Sequence, residues 1–240
     1  MGEFTREEHQ LSDAACEFVR QNKRALVEKF AAHAPAGLIK PATFFMAGSP
    51  GAGKTEFANR LAQSFQKLGR ENLVHIDADA IRNELPGYNG ANSFIFQRAA
   101  VKGVNELFNH VIHAQQSCVL DGTFARYDFA EQNIQRCIDH GRDVVVAYLY
   151  QDPVAAWTFT QAREKVEGRH IDKDKFIEQF FAAYDSVKKV REKFGNHIEL
   201  WRVIRDLPTN TYAITVEPAL VDTDGPLQYS KSNLERLLNI

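Results

Sequence analysis

Residues 48–55 read Gly48-Ser49-Pro50-Gly51-Ala52-Gly53-Lys54-Thr55, a complete G-x-x-x-x-G-K-[ST] pattern, and nothing else in the chain restricts its fold as much. Three glycines in eight positions let the backbone curl until its N–H groups face inward and cradle phosphate oxygens. Lys54 then reaches the β- and γ-phosphates, and the Thr55 hydroxyl becomes a ligand for Mg²⁺. The flanks supply the required context. Ahead of the loop, Ala42-Thr43-Phe44-Phe45-Met46-Ala47 is an apolar run suited to a buried strand. Behind it, Phe57, Leu61, Phe65 and Leu68 recur at helical spacing up to a stop signal at Gly69. Strand, glycine loop and helix together make a phosphate site, and the helix N-terminus adds positive potential. The chain is expected to bind a nucleoside triphosphate, ATP or GTP, with Mg²⁺.

A chain of 240 residues, 44% hydrophobic, buries one large core, so one α/β domain over 1–240 is expected rather than two. Residues 1–40 read as an N-terminal helical extension and 206–240 as a C-terminal tail of strand and helix. A net charge of −2 gives no electrostatic basis for a nucleic-acid or membrane partner. Cys16, Cys118 and Cys137 form no C-x-x-C pair and read as structural thiols of a reduced, cytoplasmic compartment. The N-terminal stretch is too charged for a secretory signal, and no apolar run approaches membrane-spanning length. Position 6 is Arg, which disqualifies Gly2 as a myristoylation site.

Along the chain, Ser12 is placed as the cap of a helix running to residue 34, ended by Pro35 and Gly37. Strands are expected at 73–77, 117–121, 144–149, 198–204 and 212–216. Helices are expected at 93–115, 128–140, 153–166, 172–193 and 232–238, while 218–230 lacks periodicity. Strands alternating with helices imply a mostly parallel, P-loop NTPase-like sheet flanked by helices, with extra helices at the N-terminus and near a lid. Ligands of such sheets bind beyond the carboxyl ends of the strands.

Polar residues cluster at those ends. Asp77 and Asp79 follow a strand and precede Arg82; phosphoryl transfer needs a carboxylate to accept the proton of the attacking hydroxyl. An Asp in this position is also the ordinary cap of the next helix, and Asp77 fits either role, holding Asp79 in place. Asp121, followed by Gly122 and Thr123, ends another apolar strand and suits a Mg²⁺ ligand beside Thr55, or else a strand-terminating turn. Arg126 follows within reach of the same crevice. Arg163 and Arg169 flank a charged helix end at Gly168; they could close over phosphates as a lid or lie in solvent. Glu106 sits mid-helix and, read alone, is a solvated residue. The histidines show no ligand spacing, so no zinc is expected.

The order Gly48 to Thr55, Asp77-Ala78-Asp79-Ala80-Ile81-Arg82, a long helix with Glu106, Asp121-Gly122-Thr123, then Arg163 and Arg169 resembles the zeta-toxin family of P-loop kinases over about residues 12–205. Members phosphorylate UDP-N-acetylglucosamine at the 3′-hydroxyl of the amino sugar with ATP or GTP and Mg²⁺. The resemblance implies that Asp79 is the base and that Lys54 and Thr55 serve phosphate and metal. It further implies that Glu106 and Thr123, beside Arg82 and Arg126, hold the sugar nucleotide, and that Arg163 and Arg169 clamp phosphate. A small helical antitoxin is the implied partner. The chain departs from the family in having Asp121 where Glu is frequent, and in a shorter loop between Asp79 and Glu106.

Rival readings differ in class. A signalling GTPase would carry Asn-Lys-x-Asp and a Gly three residues after Asp121, and this chain has neither. A kinase of another acceptor, such as a nucleoside, an antibiotic or a polynucleotide 5′-end, shares the P-loop, the strand-end Asp and the lid arginines; Asp79-x-x-Arg82 resembles a pair used by polynucleotide 5′-kinases. A non-catalytic nucleotide-binding module would have little use for Lys54, Thr55, Asp79 and Arg163 together.

Overall fold

In the computed structural model, which describes residues 4–31, 40–68, 73–168, 170–206, 209, 211–217 and 228–239, six strands form one sheet. They are β1 (Ala42–Ala47), β2 (Val74–Asp77), β3 (Cys118–Asp121), β4 (Asp143–Tyr150), β5 (Glu199–Asp206) and β6 (Thr211–Glu217), in the order β2-β3-β1-β4-β5-β6. The first five run parallel; β6 turns back antiparallel beside β5, with Arg205 opposite Tyr212. Parallel strands covered on both faces need apolar residues at every position, and β4 supplies them. Val144, Val146 and Tyr148 enter one core while Val145, Ala147 and Leu149 enter the other.

Nine α-helices are found among the described residues: α1 (Arg6–Gln21), α2 (Lys23–Phe30), α3 (Lys54–Lys67), α4 (Ala78–Arg82), α5 (Gln97–His113), α6 (Tyr127–Asp139), α7 (Pro153–Glu167), α8 (Lys173–Phe194) and α9 (Lys231–Leu237). Helix α3 presses Phe57, Ala58, Leu61 and Phe65 onto one face of the sheet. The other face is covered by α1, α5, α6 and α8, through residues such as Val19, Leu107, Phe108, Ile134 and Val187. A smaller core of Trp157, Phe176, Phe180, Leu234 and Leu238 joins α7, α8 and α9.

The N-terminal helix starts earlier than expected. Ser12 lies buried inside α1, and Thr5 is the cap: its hydroxyl accepts from the Glu8 amide at 3.2 Å while the Glu8 carboxylate accepts from the Thr5 amide at 2.7 Å. That reciprocal pair is legible as Thr-x-x-Glu and outcompetes a serine seven positions on. The run expected to be one helix is interrupted at Asn22, whose amide side chain donates to Phe18 O. Its expected end at 32–34, the stop at Gly69 and most of 218–230 lie outside the described residues. Helix α5 begins at Gln97 rather than 93, because residues 91–96 form turns after Gly90.

The phosphate loop is wedged between two strands' ends and α7. Gly48 (φ 141°) would place a Cβ 2.4 Å from Leu149 O, and Gly51 (φ 74°) would place one 2.1 Å from Ala156 O. Both glycines are therefore required by contact as well as by backbone angle. Gly51→Ala is expected to combine a left-handed penalty of about 1–2 kcal/mol with a backbone clash. A drop of several degrees in melting temperature, at about 2–4 °C per kcal/mol for a chain this size, should appear in thermal unfolding by circular dichroism. An unchanged midpoint would mean that the loop does not seat against α7.

Candidate functional site

β1 delivers the chain into the loop and α3 carries it away, so the loop lies at the carboxyl end of the sheet. Gly53 (φ 83°) immediately precedes α3. The Lys54 ammonium folds back over the loop, donating to Ser49 O at 2.6 Å and Gly48 O at 3.1 Å. Thr123 adjoins the same loop, its carbonyl accepting from the Gly48 amide at 3.2 Å.

β2 and β3 end side by side, with Asp77 in register with Asp121. The Thr55 hydroxyl donates to Asp121 Oδ2 at 2.8 Å, and His75 Nε2 lies 3.3 Å from the same oxygen. Burial alone would raise the Asp121 pKa, but the hydrogen bonds from His75 and Thr55 and the charges of Lys54 and His75 leave it lowered. For His75, burial works toward a lower value, but Asp121 and, at longer range, Asp77 outweigh it, so its pKa is raised. Asp77 is raised chiefly by burial, opposed by the Asp79 amide and reinforced by the charges of Asp79 and Asp121.

Asp77 caps α4: its carboxylate accepts from the Asp79 amide at 2.9 Å and the Ala80 amide at 3.3 Å. Two arginines meet the Asp79 side chain. Arg82, 2% exposed, pairs with Asp79 Oδ1 and reaches the Gln97 side chain with its other terminal nitrogen. Arg163, on α7 and half exposed, donates to Asp79 Oδ2 at 3.4 Å. The two contacts differ in weight. Removing one partner of a buried ion pair costs about 3–5 kcal/mol, whereas an exposed pair contributes about 0–1 kcal/mol. Arg82 thus fixes Asp79, and the Arg163 contact adds little to that hold.

Of the residues singled out in the sequence, Lys54, Thr55, Asp121 and Thr123 are gathered at the loop, and Asp79, Arg82 and Arg163 form a second group. Glu106 is paired at 2.6 Å with Lys23 of α2, and the Arg126 guanidinium lies 3.9 Å from the Phe129 ring centroid. Arg169 lies outside the described residues. Sequence reasoning missed His75 and Gln97. For His75 a signal existed: residues two apart on a strand share a face, so His75 points where Asp77 does. Gln97 approaches Arg82 across a turn-rich loop and had no local signal.

Thr55 and Asp121 are hard oxygen donors 2.8 Å apart. Mg²⁺ is held by one or two carboxylates with phosphate oxygens and water, so the pair fits that ion. The architecture and the loop define the class: an α/β protein of the P-loop NTPase-like fold. The chain belongs to the zeta toxin family, whose model matches residues 23–216. No curated protein matches at a significant level. Among solved structures it is similar to a chain of the PezAT chromosomal toxin–antitoxin system of Streptococcus pneumoniae, with a TM-score of 0.63 and 18% identity, covering 99% of this chain and 97% of that one. It is also similar to a chain of the AvrRxo1-ORF1:-ORF2 complex determined with ATP, with a TM-score of 0.58 and 16% identity, covering 88% of this chain and 66% of that one. A form of that complex with sulphate ions gives 0.58 and 15%, covering 98% of this chain and 87% of that one. At these identities the structures attest the shared fold.

The His75–Asp121 pair has a definite pH signature. A raised histidine contributes stability in full below its ordinary 6.5, lost as pH rises through the raised value. A lowered aspartate contributes in full above its ordinary 3.8, lost as pH falls through the lowered value. Comparing wild type with His75→Gln, the difference in melting temperature should be largest between these two ordinary values and shrink at higher pH. A difference independent of pH would mean that the pair contributes by packing and not by charge.

Proposed function

We propose that this protein is a Mg²⁺-dependent kinase that transfers the γ-phosphate of ATP or GTP to the 3′-hydroxyl of the amino sugar of UDP-N-acetylglucosamine. The observation that carries the kinase reading is Asp79: a carboxylate in the first turn after β2, paired with Arg82 and touched by Arg163 of α7, the helix against which the phosphate loop packs. The acceptor is drawn from the family the chain belongs to. In this reading the loop amides and Lys54 hold the donor phosphates, and Thr55 and Asp121 would hold Mg²⁺, which would supply charge neutralisation to the donor phosphates.

Asp79 accepts the proton of the acceptor hydroxyl as its oxygen bonds to the γ-phosphorus and the bond to the β-phosphate oxygen breaks. Arg163 must leave Asp79 Oδ2 for this to happen. That contact is exposed, so breaking it costs about 0–1 kcal/mol, and the γ-phosphate offers a better partner for the guanidinium. Arg169 is assigned to the same clamp. Glu106, Thr123, Arg82 and Arg126 are assigned to the sugar nucleotide; the partly exposed Glu106 carboxylate can accept from a sugar hydroxyl or amide once Lys23 yields. Unrestrained, the activity would deplete a cell-wall precursor. A small helical antitoxin is the proposed partner and the cytoplasm the proposed site of action. Among the described residues no helix is long and apolar enough to cross a membrane.

A second reading keeps the kinase and changes the acceptor. The Asp79–Arg82 ion pair observed here is the arrangement that the sequence likened to polynucleotide 5′-kinases. Purified protein incubated with γ-labelled ATP, Mg²⁺ and a panel of sugar nucleotides, nucleosides and oligonucleotide 5′-ends separates the two. The expected outcome is label on UDP-N-acetylglucosamine, confirmed by mass spectrometry. Label on an oligonucleotide end alone would overturn the acceptor and leave the kinase standing.

Lys54→Ala should remove transfer with the fold intact, and Asp79→Asn should lower it by about 10²–10⁴-fold while sparing nucleotide affinity. Asp77→Asn should cost less, because an amide still caps α4. Greater loss at Asp77 would reverse the assignment. Arg163→Ala should lower kcat and leave stability nearly unchanged, since its interaction is made in the transition state. If it raised only KM for ATP, Arg163 would be a ground-state ligand.

A further inference from the structure

The donor nucleotide needs more than a phosphate cradle, and the sheet order says where its nucleoside half must lie. The loop follows β1, in the middle of the order β2-β3-β1-β4-β5-β6. Asp79 follows β2, at one edge of that order. In an in-line transfer the acceptor and the leaving nucleoside diphosphate lie on opposite sides of the transferred phosphorus. With the acceptor on the β2–β3 flank, the nucleoside belongs on the β4–β5–β6 flank.

That flank carries a cluster that the catalytic reading does not use. Arg205 stands at the carboxyl end of β5, directly opposite Tyr212 on β6. Its side chain runs alongside the phosphate loop: a Cβ on Gly53 would lie 3.5 Å from Arg205 Nη1 and 3.8 Å from its Cδ. The Tyr212 ring is bracketed by cations, with the Arg60 guanidinium 5.1 Å and the Arg205 guanidinium 6.0 Å from its centroid, and Phe57 packs edge-on at 5.2 Å. Among the described residues the buried Tyr212 hydroxyl has no hydrogen-bond partner, so the ring is positioned by this packing. A planar guanidinium, braced by an aromatic ring and set beside Gly53, is suited to stack on a purine and to hydrogen-bond a ribose.

The geometry points to Arg205, braced by Tyr212, as the seat of the donor nucleotide's purine nucleoside, while loop 48–55 takes the polyphosphate. This rests on the P-loop kinase reading but not on the identity of the acceptor. The shape of the seat follows from β6 being antiparallel to β5, which returns the chain to the crevice and sets Tyr212 there.

The test separates the nucleoside from the phosphates. Binding of MgATP and of magnesium tripolyphosphate, which lacks the nucleoside, is measured by calorimetry on the full chain for wild type, Arg205→Ala, Arg205→Gln and Tyr212→Leu. Arg205→Ala is expected to weaken ATP about tenfold and leave tripolyphosphate within about twofold, the scale of one stacked cation. Tyr212→Leu should weaken ATP in the same selective way, through the lost brace. Equal losses for both ligands would make Arg205 a phosphate ligand and overturn the inference; unchanged ATP binding in a folded variant would make it a surface arginine. Arg205→Gln keeps donors without the charged plane and should still show the selective loss; it decides the matter if the alanine variant does not fold. Lys54→Ala weakens both ligands if the loop assignment holds. Wild type binding neither ligand would overturn the phosphate site itself, and with it this seat.

Discussion

The close approach of bare backbone at Gly48 and Gly51 is the constraint from which the rest of the structure follows. A phosphate cradle needs amides turned inward, which requires positive φ at several residues in one short loop. Here the loop is also pressed against the Leu149 and Ala156 carbonyls, so the end of β4 and the start of α7 are its outer wall. The same contact that shapes the cradle therefore places the helix that carries Arg163. The loop and the helix that bears Arg163 are placed by one packing contact.

Around this loop the charges divide by burial. Arg82 is buried, paired with Asp79 and Gln97, and behaves as part of the core. Arg163 touches the other oxygen of the same carboxylate from an exposed position. A carboxylate held on one side by a fixed cation and on the other by an exchangeable one is oriented without being locked. A catalytic base needs that combination, since it must present a free oxygen at the moment of transfer. The Asp121 carboxylate is treated similarly by Thr55 and His75, which keep it ionised.

At the opposite end of the sheet a group of polar residues is buried. Arg142, buried at the start of β4, donates to the Thr43 hydroxyl at 2.8 Å and to Gln116 O, while Cys118 and Cys137 lie against the same hydroxyl. Burial pushes the Cys118 thiol up to about 12, so it stays protonated and inert. These thiols serve packing, as their isolation in the sequence implied. Of the helices that precede the sheet, α2 is tied to Glu106 of α5 through Lys23, an ion pair weak enough to rearrange.

How much of this was legible depends on the range of the interaction involved. The glycine loop, the strand before it and the helix after it rest on local periods and backbone angles, and each could be read from residues within a few positions. So could the existence of all six strands and most helices, because a buried parallel strand and an amphipathic helix impose different periods on neighbouring residues. The misreadings were local competitions: Thr5 with Glu8 outbids Ser12 as a cap, and turns after Gly90 delay α5. What the sequence could not decide is which strand ends adjoin. Arg163 meets Asp79 across 84 residues, and His75 meets Asp121 across 46. Those meetings depend on strand order and the crossovers that set it, and no local period encodes them. The sequence by itself determined a phosphate loop with acids and arginines available to it. Only the tertiary structure decided that Asp79 and the Arg205–Tyr212 pair stand on opposite flanks of that loop, because sheet order is a balance of nonlocal burial over the whole chain.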